Sequence, residues 1–546
     1  MLQTLSSYRR LSVVDKILLF FLLVALVVIV DLYFVNAKRV NPLGDFSAYA
    51  DDTYIHLRFA NHLASGEGIV WNKGEPPVEG STSFLYLLMI TAIEMSGIQP
   101  IWTLPYLNAF FSTILLLNVF ILLQILNPKK LIINLTVTVM LGLFPPIMVW
   151  SASGLEVMLY AFAILLCASL YILYRKGVTS PYIAGFAFAI TSFIRPECLL
   201  LFSATAVFEL FVVWLSDKKV YKQSAGLIGT FFLFYLPIFL WKWSYFGYPF
   251  PNTYYAKTGG GITQLLSGIS YLKNNLVENF IPAGFLGIVF LATFRKDSYF
   301  VEKLYLCLLL FTSWIVVAIN GGDYMGKARF LTPTISFLYI LGGSGISRIM
   351  DRIKKSALQL GLILILLAAA FLDWQAENPI LIDYGNKRFP GASMSYKPKY
   401  IISTPEFVFI GKALKRISDP GDSIALVPIG AIGYYSEMTV YDMVGLVDPH
   451  IAHEPFSQEF ITDSWKPGHD KGDGLYILSL KPTYILLVDR LTLEPIEGVD
   501  DWALQYKSIV EIWNSEQFHK EYNFCPFQAN GWYINLYCRK AEYLQH

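Results

Sequence analysis

This 546-residue sequence predicts a polytopic α-helical membrane protein that carries a C-terminal soluble α/β domain. Three observations lead there. Hydrophobic residues make up 55% of the chain and charged residues only 15%, where an ordinary soluble domain is roughly 25% charged. Mean hydropathy is +0.48. Apolar runs of membrane-crossing length recur as far as position 373, and none lies beyond it. This composition excludes a disordered chain and argues against a soluble enzyme. A net charge of +1 gives no basic surface for nucleic acid. Five cysteines are too few for a disulfide scaffold.

A helix crosses the roughly 30 Å hydrocarbon core with about 20 apolar residues. The first run, Ile17 to Val35, comes after Arg9, Arg10 and Lys16. It reads as an uncleaved first span; the alternative is a signal peptide, since Val35-Asn36-Ala37 loosely fits a cleavage site. Further spans are expected near 103–126, 131–149, 156–174, 181–194, 198–215, 225–243, 281–294, 303–319, 329–346 and 357–373, which makes about eleven transmembrane helices. The stretch 181–215 is divided because one helix of that length would run roughly 52 Å and would hold Arg195-Pro196-Glu197 in lipid. Lys and Arg in short loops set orientation. With the N-terminus cytoplasmic, every inner loop is basic: Lys129-Lys130, Arg175-Lys176, Lys218-Lys219-Lys222, Arg295-Lys296 and Arg348-Arg352-Lys354-Lys355. An odd number of spans then puts the C-terminal domain outside. The expected organisation is a membrane domain over 1–373 with a large first outer loop at 36–102, then an extracytoplasmic α/β domain over 374–546. The expected location is the cell's inner (plasma) membrane.

This topology gathers the unusual polar segments on one face. They are the first loop, Ser153-Gly154-Leu155-Glu156, Arg195-Pro196-Glu197, Pro251-Asn252-Thr253-Tyr254-Tyr255-Ala256-Lys257 and Gly321-Gly322-Asp323-Tyr324-Met325. In the first loop Asp51-Asp52 opens a helical pattern carried by Ile55, Phe59 and Leu63 and ended by Gly66. Two acids there can simply stabilise a helix start; they also suit acid/base work or a cation. Phe84 to Met95 is apolar but short, and reads as a helix lying at the outer interface.

Asp51-Asp52-Thr53-Tyr54-Ile55, Arg58, Gly66-x-Gly68, Asn72-x-Gly74-Glu75 and Val78-Glu79-Gly80-Ser81-Thr82 resemble the first-loop signature of the GT-C membrane glycosyltransferases. The nearest group contains the bacterial cell-wall (terminal β) arabinofuranosyltransferases. The later outer segments, Arg329-Phe330, Asp442 to Asp448 and Gly468 to Gly474 resemble further motifs of that group. The group usually has an aromatic residue in place of Ser81, Tyr in place of Phe59 and a small polar residue near His56; these departures bear on the sugar and the acceptor. The resemblance implies an inverting glycosyltransferase with a GT-C-like fold. It would move a sugar from a polyprenyl-phosphate-linked donor to a hydroxyl of a cell-envelope glycan, lipid or protein acceptor, beside membrane lipid. It further implies Asp51 as general base with Asp52 beside it. Arg58, Arg195, Lys257 and Arg329 are the expected ligands of the donor phosphate, which guanidinium groups suit by bidentate hydrogen bonding. Glu79, Glu156, Asn252, Tyr255 and Asp323 are the expected substrate-binding residues. Blander readings stay open for several: Arg195 can snorkel, Lys257 can be a solvated loop charge, Asp323 a turn residue and Glu156 a helix-start acid. The alternative function is a transporter or flippase for a lipid-linked sugar. Transporters usually carry broken helices at the membrane midplane in repeated halves, and no such repeat is seen.

In the C-terminal domain Ser423 to Val427, Val440 to Asp442 and Tyr484 to Asp489 are expected as strands, Glu406 to Ile417 as a helix, and Tyr533 to Arg539 as a late edge strand. Cys525 and Cys538 can pair there. Asp448, His450, His453, His469, Asp470 and Asp473 match no standard zinc spacing. No metal site and no required cofactor are expected, although a divalent cation is compatible with the acids.

Overall fold

The computed structural model describes residues 49–215, 221–278, 281–377, 404–456 and 465–543. The expected first span at 17–35 and the basic residues Lys218 and Lys219 lie outside the described residues.

Two helices come from the first loop, α1 (Asp51–Ala64) and α2 (Phe84–Met95). The N-cap of α1 is Ala50, which has no side-chain cap, so Asp51 and Asp52 are first-turn acids and not caps. The sequence suggests one buried stripe on α1. In the structure every residue from Thr53 to Ala60 is buried, because α1 is enclosed between α2 and a helix of the C-terminal domain.

The membrane domain continues through α3 (Pro100–Leu126), α4 (Leu131–Gly142), α5 (Pro145–Ala152), α6 (Val157–Arg175), α7 (Pro181–Thr191), α8 (Cys198–Leu215), α9 (Tyr221–Phe246), α10 (Asn252–Ala256), α11 (Gly261–Glu278), α12 (Ile281–Thr293), α13 (Phe300–Ile319), α14 (Thr332–Arg352) and α15 (Ser356–Glu377). A helix stands at every expected position after the first. Among the described residues, however, only six are long and apolar enough to cross a bilayer: α3, α6, α8, α9, α13 and α15. The α4–α5 pair makes a seventh if its 54° bend is one span; the bend falls at Pro145-Pro146, where helix hydrogen bonds are lost. α7 has 11 residues, roughly 16 Å of helix, so it cannot cross alone. α14 is long but rich in Gly, Ser and Thr, and is enclosed by protein along most of its length. A Cβ on Gly342 would stand 2.5 Å from Leu286, and one on Gly345 2.9 Å from the Val289 carbonyl. Small residues thus let α14 seat against α12, as in other membrane bundles.

The C-terminal domain holds α16 (Thr404–Ile417), β1 (Ser423–Leu426), α17 (Ile429–Ser436), β2 (Thr439–Asp442), α18 (Pro449–His453), α19 (Gly474–Ser479), β3 (Tyr484–Leu486), α20 (Lys507–Trp513), α21 (Glu516–Glu521), β4 (Tyr522–Phe524), β5 (Phe527–Ala529), β6 (Trp532–Ile534) and β7 (Leu536–Arg539). The main sheet has the order β2-β1-β3-β7-β4. β1 pairs parallel with β2 and β3, and β7 antiparallel with β3 and β4. The stretch expected as one edge strand is two, β6 and β7, and β7 lies inside the sheet. The short β4 covers its other side and gives little signal of its own. Cys525 and Cys538 form a disulfide.

Candidate active site

The site is assembled where α1 meets the ends of the membrane helices. The turn at Ser153-Gly154 seats the start of α1. Ala50 N–H and Thr53 Oγ1 both donate to the Ser153 carbonyl, at 3.2 and 2.8 Å. Gly154 has φ +76°, and a Cβ there would stand 2.6 Å from Thr53. Glycine therefore serves both the turn and the close approach.

Asp52 faces a buried ion network. Arg329 donates from Nη1 to Asp52 Oδ2 at 3.1 Å, and grips Asp323 with Nε and Nη2 at 2.6 and 2.9 Å. Arg195 donates to Glu156 Oε1 and Glu197 Oε1, both at 2.8 Å. The two guanidinium groups lie 4.8 and 4.9 Å from the centroid of one ring, Phe330, a cation–π arrangement that holds like charges near each other. Burial pushes the Asp52 carboxyl upward, but Arg329 and Lys257 outweigh it and leave it below the usual carboxylate range. Burial and Arg329 lower the Lys257 ammonium, against the pull of Asp52 and Asp323. No ion pair or side-chain hydrogen bond fixes Lys257 among the described residues. It is the cation of this group left open to an incoming anion.

Asp51 turns to the C-terminal domain. Its Oδ2 accepts from Gly430 N–H at 2.9 Å and its Oδ1 from Ala431 N–H at 2.8 Å, in the first turn of α17. Burial raises its pKa to about 7; Asp52 adds to the rise, and the two N–H donors oppose it. Two adjacent carboxylates thus stand in opposite states. One is tied to cations and held ionised, the other is poised near neutrality, as a general base requires.

His56, one turn beyond Asp52, is 2.7 Å from Ser81 Oγ through Nδ1 and 3.7 Å from Glu156 Oε2 through Nε2. Burial lowers its pKa, against the opposing pull of Glu156 and Asp52. Two of the three positions that depart from the resembled motif, His56 and Ser81, are therefore in contact with each other beside the ion network.

Other expected site residues lie elsewhere. Arg58 is not at the phosphate network. Its guanidinium donates to the carbonyls of Trp71, Gly433 and Met438 and to Asn72 Oδ1, joining the first loop to the C-terminal domain. Glu79 pairs with Lys242. Asn252 donates to the Gly445 and Leu446 carbonyls at 2.9 and 3.1 Å. The Tyr255 ring packs on His453 at 4.3 Å. Asn252 and Tyr255 serve the seam between the domains, whereas the Glu79 pair stays within the membrane domain. Sequence reading left out Glu197 and His469, although both sit inside quoted motifs. Glu197 is the second partner of Arg195. His469 is pushed down to about 4, first by burial, and senses both Asp52 and Lys257. Apart from this site, His450, Glu454 and Asp473 bring their ligand atoms within 4.8 Å of one another, with His450 Nε2 2.9 Å from Asp473 Oδ2. His450 and Glu454 are one helical turn apart, and Asp473 joins them from 23 positions on; His450 and Asp473 are among the residues compared with zinc spacings, and Glu454 is not.

A small pocket of mixed polar and apolar lining lies beside Arg195 and Glu197, walled by Tyr160, Leu201, Ser313, Asn320, Phe330 and Pro333.

Residues 399–537 match a family described only as a domain of unknown function, DUF8728. No curated protein matches the chain. Among solved structures, ArnT from Cupriavidus metallidurans bound to undecaprenyl phosphate aligns with a TM-score of 0.52 at 10% identity, over 79% of this chain and 86% of that one. Its apo state aligns with a TM-score of 0.50 at 10% identity, over 78% and 85%. At such identity the likeness concerns fold alone. At 79% of the chain it is longer than the membrane domain and reaches into the C-terminal domain. The chain has an ArnT-like GT-C fold: a helical membrane bundle, a helical first loop at its mouth, and a C-terminal domain of sheet and helices.

Proposed function

We propose that the protein is an inverting glycosyltransferase that moves a sugar from a polyprenyl-phosphate donor to an acceptor hydroxyl at the outer face of the plasma membrane. The observation that carries this reading is the division of labour between Asp51 and Asp52, beside an open Lys257, at the mouth of an apolar bundle. In the transfer, Asp51 takes the acceptor proton as its oxygen bonds to the anomeric carbon. The bond from that carbon to the phosphate oxygen breaks on the opposite side. Lys257 and Arg329 neutralise the departing lipid phosphate, where charge-assisted hydrogen bonds are strongest. An undecaprenyl-phosphate-bound structure of the same fold supports a lipid-phosphate donor. The basic loops support a cytoplasmic N-terminus and an extracytoplasmic C-terminal domain. The motif resemblance makes arabinofuranose the first sugar to try, and a cell-envelope glycan, lipid or protein the acceptor.

The test is direct. Purified protein is given polyprenyl-phosphoryl sugars, arabinofuranose first, with hydroxyl acceptors, and release of polyprenyl phosphate together with glycosylated product is measured by mass spectrometry. Binding of donor without release of polyprenyl phosphate, for every sugar and acceptor tried, would sink the reading.

A further inference from the structure

We propose that the C-terminal domain is part of the catalytic machinery: the first turn of α17 positions Asp51, and Gly430 is the positioning residue that makes the contact possible. The inference rests on the reading of Asp51 as the base. Gly430 and Ala431 present backbone N–H groups that a helix leaves unpaired in its first turn. Each is bonded to one oxygen of Asp51. This fixes both the place of the carboxylate and its rotation, while each oxygen keeps a second lone pair for an incoming hydroxyl.

The fit leaves no room for a side chain. A Cβ on Gly430 would stand 2.1 Å from the Asp51 carbonyl oxygen, 2.6 Å from its Oδ2 and 2.7 Å from its Cγ. Gly430 is not among the residues with positive φ, so alanine is compatible with its backbone. Asp51 itself is what an added methyl group meets. The glycine is explained by the close approach of Asp51, its backbone carbonyl first and its carboxylate next, and not by a turn.

A second set of contacts holds α17 in this position. Arg58 donates to Gly433 and Met438, at the end of α17 and just beyond it. Asn72 Oδ1 accepts from Val440 N–H at 2.9 Å, and its Nδ2 donates to the Val440 carbonyl at 3.0 Å. β2 is an edge strand of the main sheet, and Asn72 fills the open edge groups of Val440. Trp71 Nε1 donates to the same carbonyl at 3.1 Å. The first loop therefore grips the domain on the strand after α17, while the start of α17 grips the base. A domain that only captured acceptor would need neither contact.

The experiment uses the full-length protein with polyprenyl-phosphoryl arabinofuranose as donor probe. Gly430→Ala should lower kcat about 10²-fold, the cost of a displacement of roughly 1 Å in a reacting group. The donor KM should hold within about twofold. Because the N–H bonds lower the pKa of Asp51, losing them should move the acid limb of the pH–rate profile to higher pH. In an Asp51→Asn background Gly430→Ala should add nothing, since groups that act as one unit are not additive. A Gly430→Ala enzyme with unchanged kcat and limb, or one whose loss multiplies with that of Asp51→Asn, overturns the inference. Asp51→Asn at full activity overturns the base assignment instead, so the two failures are distinguishable. Should Gly430→Ala not fold, hydrogen exchange decides. Asp51→Ala should speed exchange across 429–436 at least tenfold, and unchanged protection there refutes the contact.

Discussion

Among the described residues, an ion network is buried at each end of α6, and the two are built on opposite plans. At the far end Glu209 on α8 is completely buried. Its carboxylate receives Tyr171 Oη at 2.9 Å, Tyr174 and Ser224 at 2.8 Å, and Arg175 Nη1 at 3.2 Å. The donors come from α6 and α9, so one carboxylate ties three helices and has no capacity left over. At the near end, roughly 28 Å away along α6, the acids Asp51, Asp52, Glu156, Glu197 and Asp323 outnumber Arg195, Lys257 and Arg329. Among the described residues Lys257 has no fixed partner, and the gap between His56 Nε2 and Glu156 Oε2 is 3.7 Å, too long for a hydrogen bond. A satisfied buried network holds a fold in register; an unsatisfied one costs stability unless something comes to complete it. On the proposed function the contrast separates structural charge from charge kept for a substrate, and single substitutions can attack either side of it.

The largest effect is expected at the open end, from Asp51→Asn. Asn is nearly isosteric, but it cannot take a proton. General-base assistance is worth roughly 10²- to 10⁴-fold, so turnover should fall by about that factor. The asparagine amide can accept from only one of the two N–H groups that hold Asp51. A modest fall in melting temperature, reflecting the about 1–3 kcal/mol that one unpaired buried donor costs, should accompany the loss of turnover without accounting for it. In the wild-type enzyme the base must be ionised to act. With its pKa raised to about 7, the rate should climb with pH through neutrality and level off above it. A plateau already complete at pH 5 would contradict the environment described for Asp51. The opposite dissociation is expected for Glu209→Ala. Removing one partner of a buried pair costs about 3–5 kcal/mol, here by leaving Arg175, Tyr171 and Tyr174 unanswered. Thermal unfolding in detergent should reveal the loss, while the molecules that remain folded should turn over normally. If Glu209→Ala instead spared stability and abolished transfer, the two ends would not differ in kind.

The sequence exposed this contrast only in part. Its apolar runs located the helices, because burial in lipid writes itself directly into composition. Asp51-Asp52 stood out as an acid pair at a helix start. What it could not show was which carboxylate faces which partner. Gly430 lies 379 positions from Asp51 and Gly433 375 from Arg58, and their contacts are through backbone atoms, which carry no residue signature. Arg58 accordingly read as a phosphate ligand, when its environment is a ring of carbonyls. β7 read as an edge strand because β4, its outer neighbour, is three residues long. Glu209, a lone acid in an apolar run, escaped notice because its partners are tyrosines and a serine that composition counts as ordinary.

Lys257→Met asks whether the open cation serves the donor. Methionine keeps the apolar stem, against which Gly468 packs closely, and removes only the charge. A hydrogen bond to a charged group contributes about 1.5–3 kcal/mol, so kcat/KM for the donor should fall roughly 10- to 150-fold, with acceptor KM held. Binding of bare polyprenyl phosphate should weaken in parallel. Equal donor and product affinity in both proteins would return Lys257 to the status of a solvated loop charge.

The smallest effect is expected from removal of divalent metal, and it tests whether the near-end network is complete without an ion. The surplus of carboxylates there invites a metal ion, yet Asp52 and Asp323 are occupied by Arg329, and Glu156 and Glu197 by Arg195. The described cluster with ligand-like geometry, His450 with Glu454 and Asp473, is on α18 and α19 and bonds to none of these residues. Its acids already have local partners: Asp473 caps α19 at Tyr476 and meets His450. On the proposed reading, Lys257 and Arg329 neutralise the leaving phosphate, and the transfer is expected to run without a metal. Dialysis against a chelator should leave the transfer rate within about twofold of its starting value, a difference worth about 0.4 kcal/mol. A collapse restored by added manganese or calcium would show that an ion, and not Lys257 alone, completes the near end. His450→Ala would then locate it: loss of the metal response would assign the ion to the C-terminal domain, and retention would place it among the surplus carboxylates beside Asp51.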